Sequence, residues 1–179
     1  MIPIIETKRL ILRPYRQDDA ERVEELAGDA KVAETTAAIP HPYPKGLASS
    51  WIGRHEEKAR TLGSYTFAVA LKSTDELLGT MTLRIDQDDR KAELGYWFGV
   101  MHWGNGYCTE AAGQLVKYAF NQFNLNKIWA GVMTKNTPSI RILQKLGFHH
   151  EGTFKEDMLK DGVYEDVAYY GLLKSEYGR

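Results

Sequence analysis

The sequence predicts an α/β (α+β) fold in which a mixed, largely antiparallel central sheet of about six to seven strands is flanked by helices. Three observations lead there. Apolar side chains alternate with polar or small ones along several short segments. One such segment runs directly into a two-glycine turn that opens a helix, and a second strand-helix unit follows roughly thirty residues later. With 179 residues, 43% of them hydrophobic, the chain can bury one sizeable core and no more, so residues 1–179 read as a single domain.

Taken in order, Arg9 to Pro14 is the first strand. Asp18 then stands where a cap belongs, ahead of a helix whose Ala20, Val23, Leu26 and Ala27 recur at helical spacing. Residues 39–44 carry three of the six prolines and cannot all be helical, so they form an ordered loop, the kind of segment that places binding residues on a rigid frame. A helix of about Lys45 to Thr61 follows. Tyr65, Phe67, Val69 and Leu71 alternate in one strand, and Met81, Leu83 and Ile85 in the next. A hairpin through Asp86 to Arg90, with Asp88 and Asp89 at its solvated tip, leads into the strand of Glu93. There Leu94, Tyr96 and Phe98 share one face and leave Glu93 on the other. Ala112, Leu115, Val116, Ala119, Phe120 and Phe123 define a helix from Tyr107 to Phe123. Lys127 to Met133 is a strand, and the helix that begins at Asn136 is closed by a glycine cap at Gly147. Two strands, Thr153 to Met158 and Asp166 to Leu173, flank a turn at Lys160-Asp161-Gly162.

The segment from Glu93 to Ala111 carries the most chemistry. Gly104 and Gly106 lack a Cβ, so the backbone between them is free to aim successive N–H groups into one concavity, to which the first turn of the helix adds unpaired donors and a partial positive charge. A pyrophosphate fits such a cradle; a plain tight connection is the alternative. A dinucleotide fingerprint would need a third glycine, and no Gly-Lys-Ser/Thr loop is present. The single cysteine, Cys108, rules out an internal disulfide and reads as packing, since no histidine is set beside it as a base. His149 and His150 precede a strand, one toward solvent and one toward the core, and lack further ligands at metal-binding spacing, so no metal is expected. A formal charge of −1 gives no electrostatic reason for a nucleic-acid or membrane partner. The opening residues turn charged too soon for a secretory signal and no run approaches a membrane span, which implies a cytoplasmic protein.

These motifs resemble the GNAT superfamily of acetyl-CoA-dependent N-acetyltransferases. Its pyrophosphate motif, Gln or Arg, two residues, Gly, one residue, Gly or Ala, falls on Met101 to Gly106, with Met101 departing from the basic or amide residue. The segments Glu6 to Pro14, Gly106 to Ala111 and Asn136-x-x-Ser139 ending at Gly147-Phe148 are similar to the branch containing ribosomal-protein N-terminal (Rim-type) acetyltransferases. The resemblance covers nearly the whole chain. It implies acetyl-CoA as cosubstrate, held by Phe98, Gly99, Val100, Met101, His102, Gly104, Asn105, Gly106, Tyr107, Cys108 and Thr109, with Asn136 and Ser139 on the pantetheine side. Glu110 would lie close to the phosphates, where its charge is unhelpful, and so reads as directed away and holding the loop.

The same resemblance implies catalytic roles. Glu93 occupies the position of a glutamate used as general base in some GNAT branches, beside the simpler reading of a charge in an ion pair. Ser139 matches a serine that hydrogen-bonds the CoA thiolate or pantetheine, although Asn136 and Ser139 also suit helix capping. The tyrosine that many GNAT enzymes use as general acid, seven residues after the asparagine, is replaced by Leu143. A glutamate used in some Rim-type enzymes would fall near Met158, with Glu156 and Asp157 beside it. Presenting a lysine-like amine neutral at pH 7 costs roughly 4.6 kcal/mol, against about 1.4 for an α-amine. Weak acid-base equipment therefore favours a peptide or protein N-terminal α-amine. A polyamine, an antibiotic or another small amine is the alternative, favoured by an open cleft with acidic walls, and a non-catalytic CoA-binding module is the third reading. Trp51, Tyr43, Trp97 and Tyr164 suit a core, with Tyr43 and Tyr164 also placed as acceptor-site walls. The chain would work as a monomer or homodimer.

Overall fold

The alternating segments assemble into one eight-stranded sheet in the computed structural model, which describes residues 1–178. In spatial order the strands are β1 (Ile5–Glu6), β2 (Leu10–Arg13), β3 (Ser64–Leu71), β4 (Leu77–Asp86), β5 (Lys91–Phe98), β6 (Lys127–Met133), β8 (Val163–Leu173) and β7 (His149–Lys160). All neighbours are antiparallel except β5 and β6. The strand beyond the expected number is β1, too short for alternation to reveal it. The last two strands are longer than their apolar alternation suggested, because β7 is polar and exposed along most of its length. Its first two residues, His149 and His150, are both exposed, so neither faces the core.

Period-two alternation sorts the sheet into two faces. On one, Phe67, Val69, Met81, Leu83 and Leu94 pack under α5 (Tyr107–Gln122) and α6 (Thr137–Lys145) through Leu115, Val116, Ala119, Phe120 and Leu143. On the other, Ala68 and Leu77 meet Val23, Leu26 and Ala27 of α1 (Ala20–Ala27), with Ala48 and Ile52 of α3 (Leu47–Ile52). The short α2 (Ala30–Glu34) intervenes, and α4 (His55–Leu62) runs back to β3. The helix expected over 45–61 is thus two helices, parted at Gly53, a weak helix former.

The parallel pair is short. Lys91, Ala92 and Glu93 register with Lys127, Ile128 and Trp129, and there the pairing stops. β5 remains paired to β4 as far as Phe98, and β6 to β8 as far as Met133. The two strands therefore part inside the sheet and leave a wedge between Gly95–Phe98 and Ala130–Met133.

A buried ion pair anchors the α1 side. Arg13, 3% exposed, donates from Nη1 and Nη2 to Asp19 at 2.8 and 2.9 Å and from Nε to Asp75 at 2.9 Å. The hydrogen bonds that Asp19 accepts hold the guanidinium's proton more firmly than usual, against the opposing effect of burial. Asp19 also accepts from the Arg16 backbone N–H at 2.8 Å, so the residue that organises the start of α1 is Asp19 and not Asp18. Asp19→Asn would take one of the two carboxylates from buried Arg13 and leave it Asp75 alone. It is expected to lower unfolding free energy by about 1.5–3 kcal/mol, read as a lower denaturant midpoint at unchanged slope.

Candidate active site

The two-glycine turn follows β5 through a single 3-10 turn, Val100–His102. Gly104 and Gly106 lie at φ +76° and +75°, the left-handed region glycine tolerates. No heavy atom lies within 4 Å of where a Cβ would stand on Gly104. Among the described residues, no backbone acceptor meets the amides of Gly104, Asn105 or Gly106. The unpaired amides and the N-terminus of α5 form a cradle that suits a pyrophosphate.

Side chains brace this turn from outside. Trp103 Nε1 donates to the Phe98 carbonyl at 2.8 Å, and Asn105 Nδ2 to the carbonyls of His102 and Trp103 at 3.2 and 3.1 Å. Glu110 accepts from Thr7 Oγ1 at 2.6 Å, from the Arg9 backbone N–H at 2.8 Å and from Arg9 Nε at 2.7 Å. Arg9 also donates to the Asn105 carbonyl at 3.0 Å and lies over the Tyr107 ring at 4.6 Å. Burial works against the Glu110 charge, but these donors outweigh it and hold the carboxyl below its usual range. Met101 is exposed; beside it stands Arg22 of α1, with Nη2 3.6 Å from its sulfur and 3.3 Å from His102 Nε2. Arg22 thus brings a guanidinium to the neighbourhood where the motif usually has a basic or amide residue, a contact between distant segments that spacing does not reveal. Burial pushes the Cys108 thiol well up, which keeps it protonated and unsuited to nucleophilic attack.

The wedge opens into a cavity of about 510 Å³ between the sheet and the α1–α4 side. Its floor includes Thr66, Thr80, Thr82, Glu93, Gly95 and Trp97, and Tyr43, Trp51 and His55 stand over it. Glu93 lies 3.1 Å from Arg84 Nη1, its cross-strand partner in the register of β4 and β5. It is the one carboxylate among the described residues that line the cavity. At the wedge, Asn136 Oδ1 caps α6 by accepting from the Ser139 backbone N–H at 3.3 Å. The Ser139 hydroxyl, 7% exposed, is 2.8 Å from the hydroxyl of Tyr96. Tyr96 therefore does not simply face away from the cleft: its ring packs with the core while its hydroxyl crosses to α6, a reach that alternation does not report. Burial raises its pKa first of all, so it stays a protonated donor.

Other sequence candidates fall elsewhere. Leu143 is fully buried in the core. Met158 lines the cavity, but Asp157 accepts from Tyr169 at 2.7 Å and neither it nor Glu156 reaches the lining. Tyr43 lines the cavity, whereas Tyr164 is 62% exposed on β8 and does not. Lys160 at the hairpin turn donates to the Ile39 carbonyl at 2.6 Å and ties the turn to the proline loop.

His55 went unmarked in a helix of mixed pattern. It is 4% exposed, and neither ring nitrogen has a conventional hydrogen-bond partner. Its ring is edge-on to Trp51, with centroids 4.3 Å apart, and lies 5.3 Å from Tyr15, a setting for a weak N–H to π contact. Burial, helped by Lys58 and Arg54, lowers its pKa to about 4.

Comparison with known proteins is consistent with this geometry. Residues 9–149 match the acetyltransferase (GNAT) domain family. The uncharacterized N-acetyltransferase p20 of Bacillus licheniformis is 35% identical over 172 residues, covering 96% of each chain. YdaF of Bacillus subtilis (strain 168), provisionally named a ribosomal N-acetyltransferase, is 35% identical over 102 residues, 56% of each chain. The structure of Mycobacterium smegmatis RimJ in complex with CoA-disulfide superposes with a TM-score of 0.87 at 23% identity, covering 99% of this chain and 90% of that one.

Replacing Gly104 by Val would force a branched side chain into a left-handed backbone and put its bulk in the space open to a phosphate. Calorimetry is expected to show acetyl-CoA affinity reduced by roughly tenfold or more in a variant that still melts cooperatively. For His55 the folded pKa lies below the unfolded value, so the unfolded chain binds more protons between them. The stability this group contributes is complete above pH 6.5 and falls as pH drops toward 4. Denaturation of wild type and His55→Phe across that window is expected to show the wild type losing on the order of 3 kcal/mol relative to the variant.

Proposed function

The chain belongs to the GNAT acetyltransferase family and is an acetyl-CoA-dependent N-acetyltransferase, and from that premise we propose that its acceptor is the α-amine of a peptide or protein N-terminus. One observation carries the reading: Glu93, the single carboxylate among the described residues that line the cavity, is already engaged by Arg84. That leaves the site little proton-accepting help to offer. An α-amine, neutral in an appreciable fraction at pH 7, needs only such help, whereas a lysine side chain needs about 3 kcal/mol more.

The roles follow from the same residues. The amides of the Gly104–Gly106 turn and the start of α5 bind the pyrophosphate, with Phe98 to Thr109 forming the cofactor segment and Asn136 and Ser139 beside the pantetheine. Acetyl-CoA supplies a thioester carbonyl for the amine to attack and a thiolate to leave. Ser139 donates a hydrogen bond to the departing thiolate, and Tyr96, 2.8 Å behind it, donates to the Ser139 oxygen and so orients that hydroxyl; both hydroxyls keep their protons, and the thiolate leaves as such or is protonated from water. Because a thiol titrates near 8.5, two hydroxyls suffice where Leu143 offers none. Glu93 receives the proton of the attacking amine directly or through water. The provisional name of YdaF supports a protein acceptor. The polyamine alternative lacks its expected support, since among the described residues Arg54, Lys58 and Arg84 line the cavity with Glu93 as the only carboxylate.

A peptide bearing both a free N-terminus and an internal lysine tests the assignment. Mass spectrometry after turnover is expected to locate the acetyl group on the α-amine. Acetate on the lysine alone, or transfer confined to added small amines, overturns it.

A further inference from the structure

We propose that Arg54 and Lys58 form a subsite for a carboxylate of the acceptor, so that the enzyme prefers acceptors carrying negative charge close to the amine. This rests on the α-amine reading above and deepens it. Among the described residues four charged side chains line the cavity, and two of them, Arg84 and Glu93, neutralise each other at 3.1 Å. Arg54 and Lys58 remain. Among the described residues, neither has a carboxylate within 4.0 Å and neither side chain makes a hydrogen bond.

Their placement follows from the start of α4. Arg54 is the residue that caps this helix and Lys58, four residues on, donates its backbone N–H to the Arg54 carbonyl at 3.0 Å, so the two side chains lie one turn apart, and both line the cavity beside Trp51 of α3. The acidic residues between them, Glu56 and Glu57, are exposed and do not line it; Glu56 lies 4.0 Å from the N-terminal amine. The other charges nearby are occupied. Glu24 accepts from the Gly46 backbone N–H at 2.7 Å, and Lys160 donates to Ile39. The field of the two cations reaches inward, since both oppose protonation of the buried His55 between them.

A cavity wall with two uncompensated positive charges repels a polyamine and attracts an anion. The chemistry it recognises is a carboxylate, from the side chain of an acidic residue near a peptide N-terminus or from a free amino acid. Long flexible basic side chains at a cavity mouth can follow an acidic group at either of the first positions after the amine.

The test measures kcat/KM by CoA thiol release for three peptides with free N-termini that begin Ser-Glu-Glu, Ser-Ala-Ala and Ser-Lys-Lys, with free glutamate and spermidine beside them. The acidic peptide is expected to exceed the neutral one, and the neutral one the basic one, by roughly fivefold to tenfold per step, with the spread shrinking as salt rises. Arg54→Glu combined with Lys58→Glu should invert the order, and Arg54→Gln with Lys58→Gln should flatten it, while calorimetric acetyl-CoA affinity stays unchanged in both. Turnover of glutamate with none of the peptides would refute the N-terminal acceptor yet uphold the carboxylate subsite. Equal rates for the acidic and basic peptides, spermidine as the best acceptor, transfer to none of the anionic acceptors, or an acidic preference that survives the charge reversal would each overturn the subsite.

Discussion

Everything in the site depends on the early separation of β5 and β6. A parallel pair that stops after three registers leaves two strands with unpaired backbone edges facing one another in the middle of a sheet. Such groups are costly unless something polar meets them. At one side of the opening stands α6, whose capped N-terminus brings the Ser139 hydroxyl against that of Tyr96. The rest of the opening is available to a ligand. The ordinary requirement that main-chain groups find partners makes the wedge a place where a polar, elongated molecule can complete the sheet's hydrogen bonding.

The turn beyond β5 owes its shape to contacts made far away in the sequence. Thr7 and Arg9, near the start of the chain, close on Glu110 and on the Asn105 carbonyl about a hundred residues later. Glu110 would repel a phosphate if it faced the concavity. With three donors around one carboxylate, it is instead a fastener on the outer side, and the free amides keep their positive potential for the ligand. The segment that recognises the cofactor and the segment that begins the sheet are thus stabilised together.

The division of labour explains what the sequence discloses. Periodicity finds the strands and helices whose two faces differ, which is why β3 to β6, α5 and α6 are legible, and why a two-residue β1 and the exposed length of β7 are not. The glycine turn is legible because positive φ restricts residue type. Glu110 is legible because a carboxylate beside a phosphate site has few permissible orientations. Tyr96, His55 and Arg22 are another matter. Each belongs to an element identified by its apolar neighbours, and each acquires its role from a partner on a different element: Ser139, the Trp51 and Tyr15 rings, and the Met101 turn. Nothing local to residues 96, 55 or 22 specifies those partners, and only the tertiary fold creates them.

The irregularity in β7 has a bearing on how one molecule treats another. β7 is an outer strand of the sheet, twelve residues long, and a strand of that length with a free edge is a template for pairing with a second chain. Between Phe154 and Met158 its register breaks, Glu156 turns to φ +52°, and its backbone N–H donates to Asp166 on the neighbouring strand. The opposite edge ends in a strand of two residues. An approaching strand thus meets an interrupted ladder at one margin and almost none at the other. The polypeptide can expose its sheet margins in a crowded solution without recruiting its copies into a continuous ribbon.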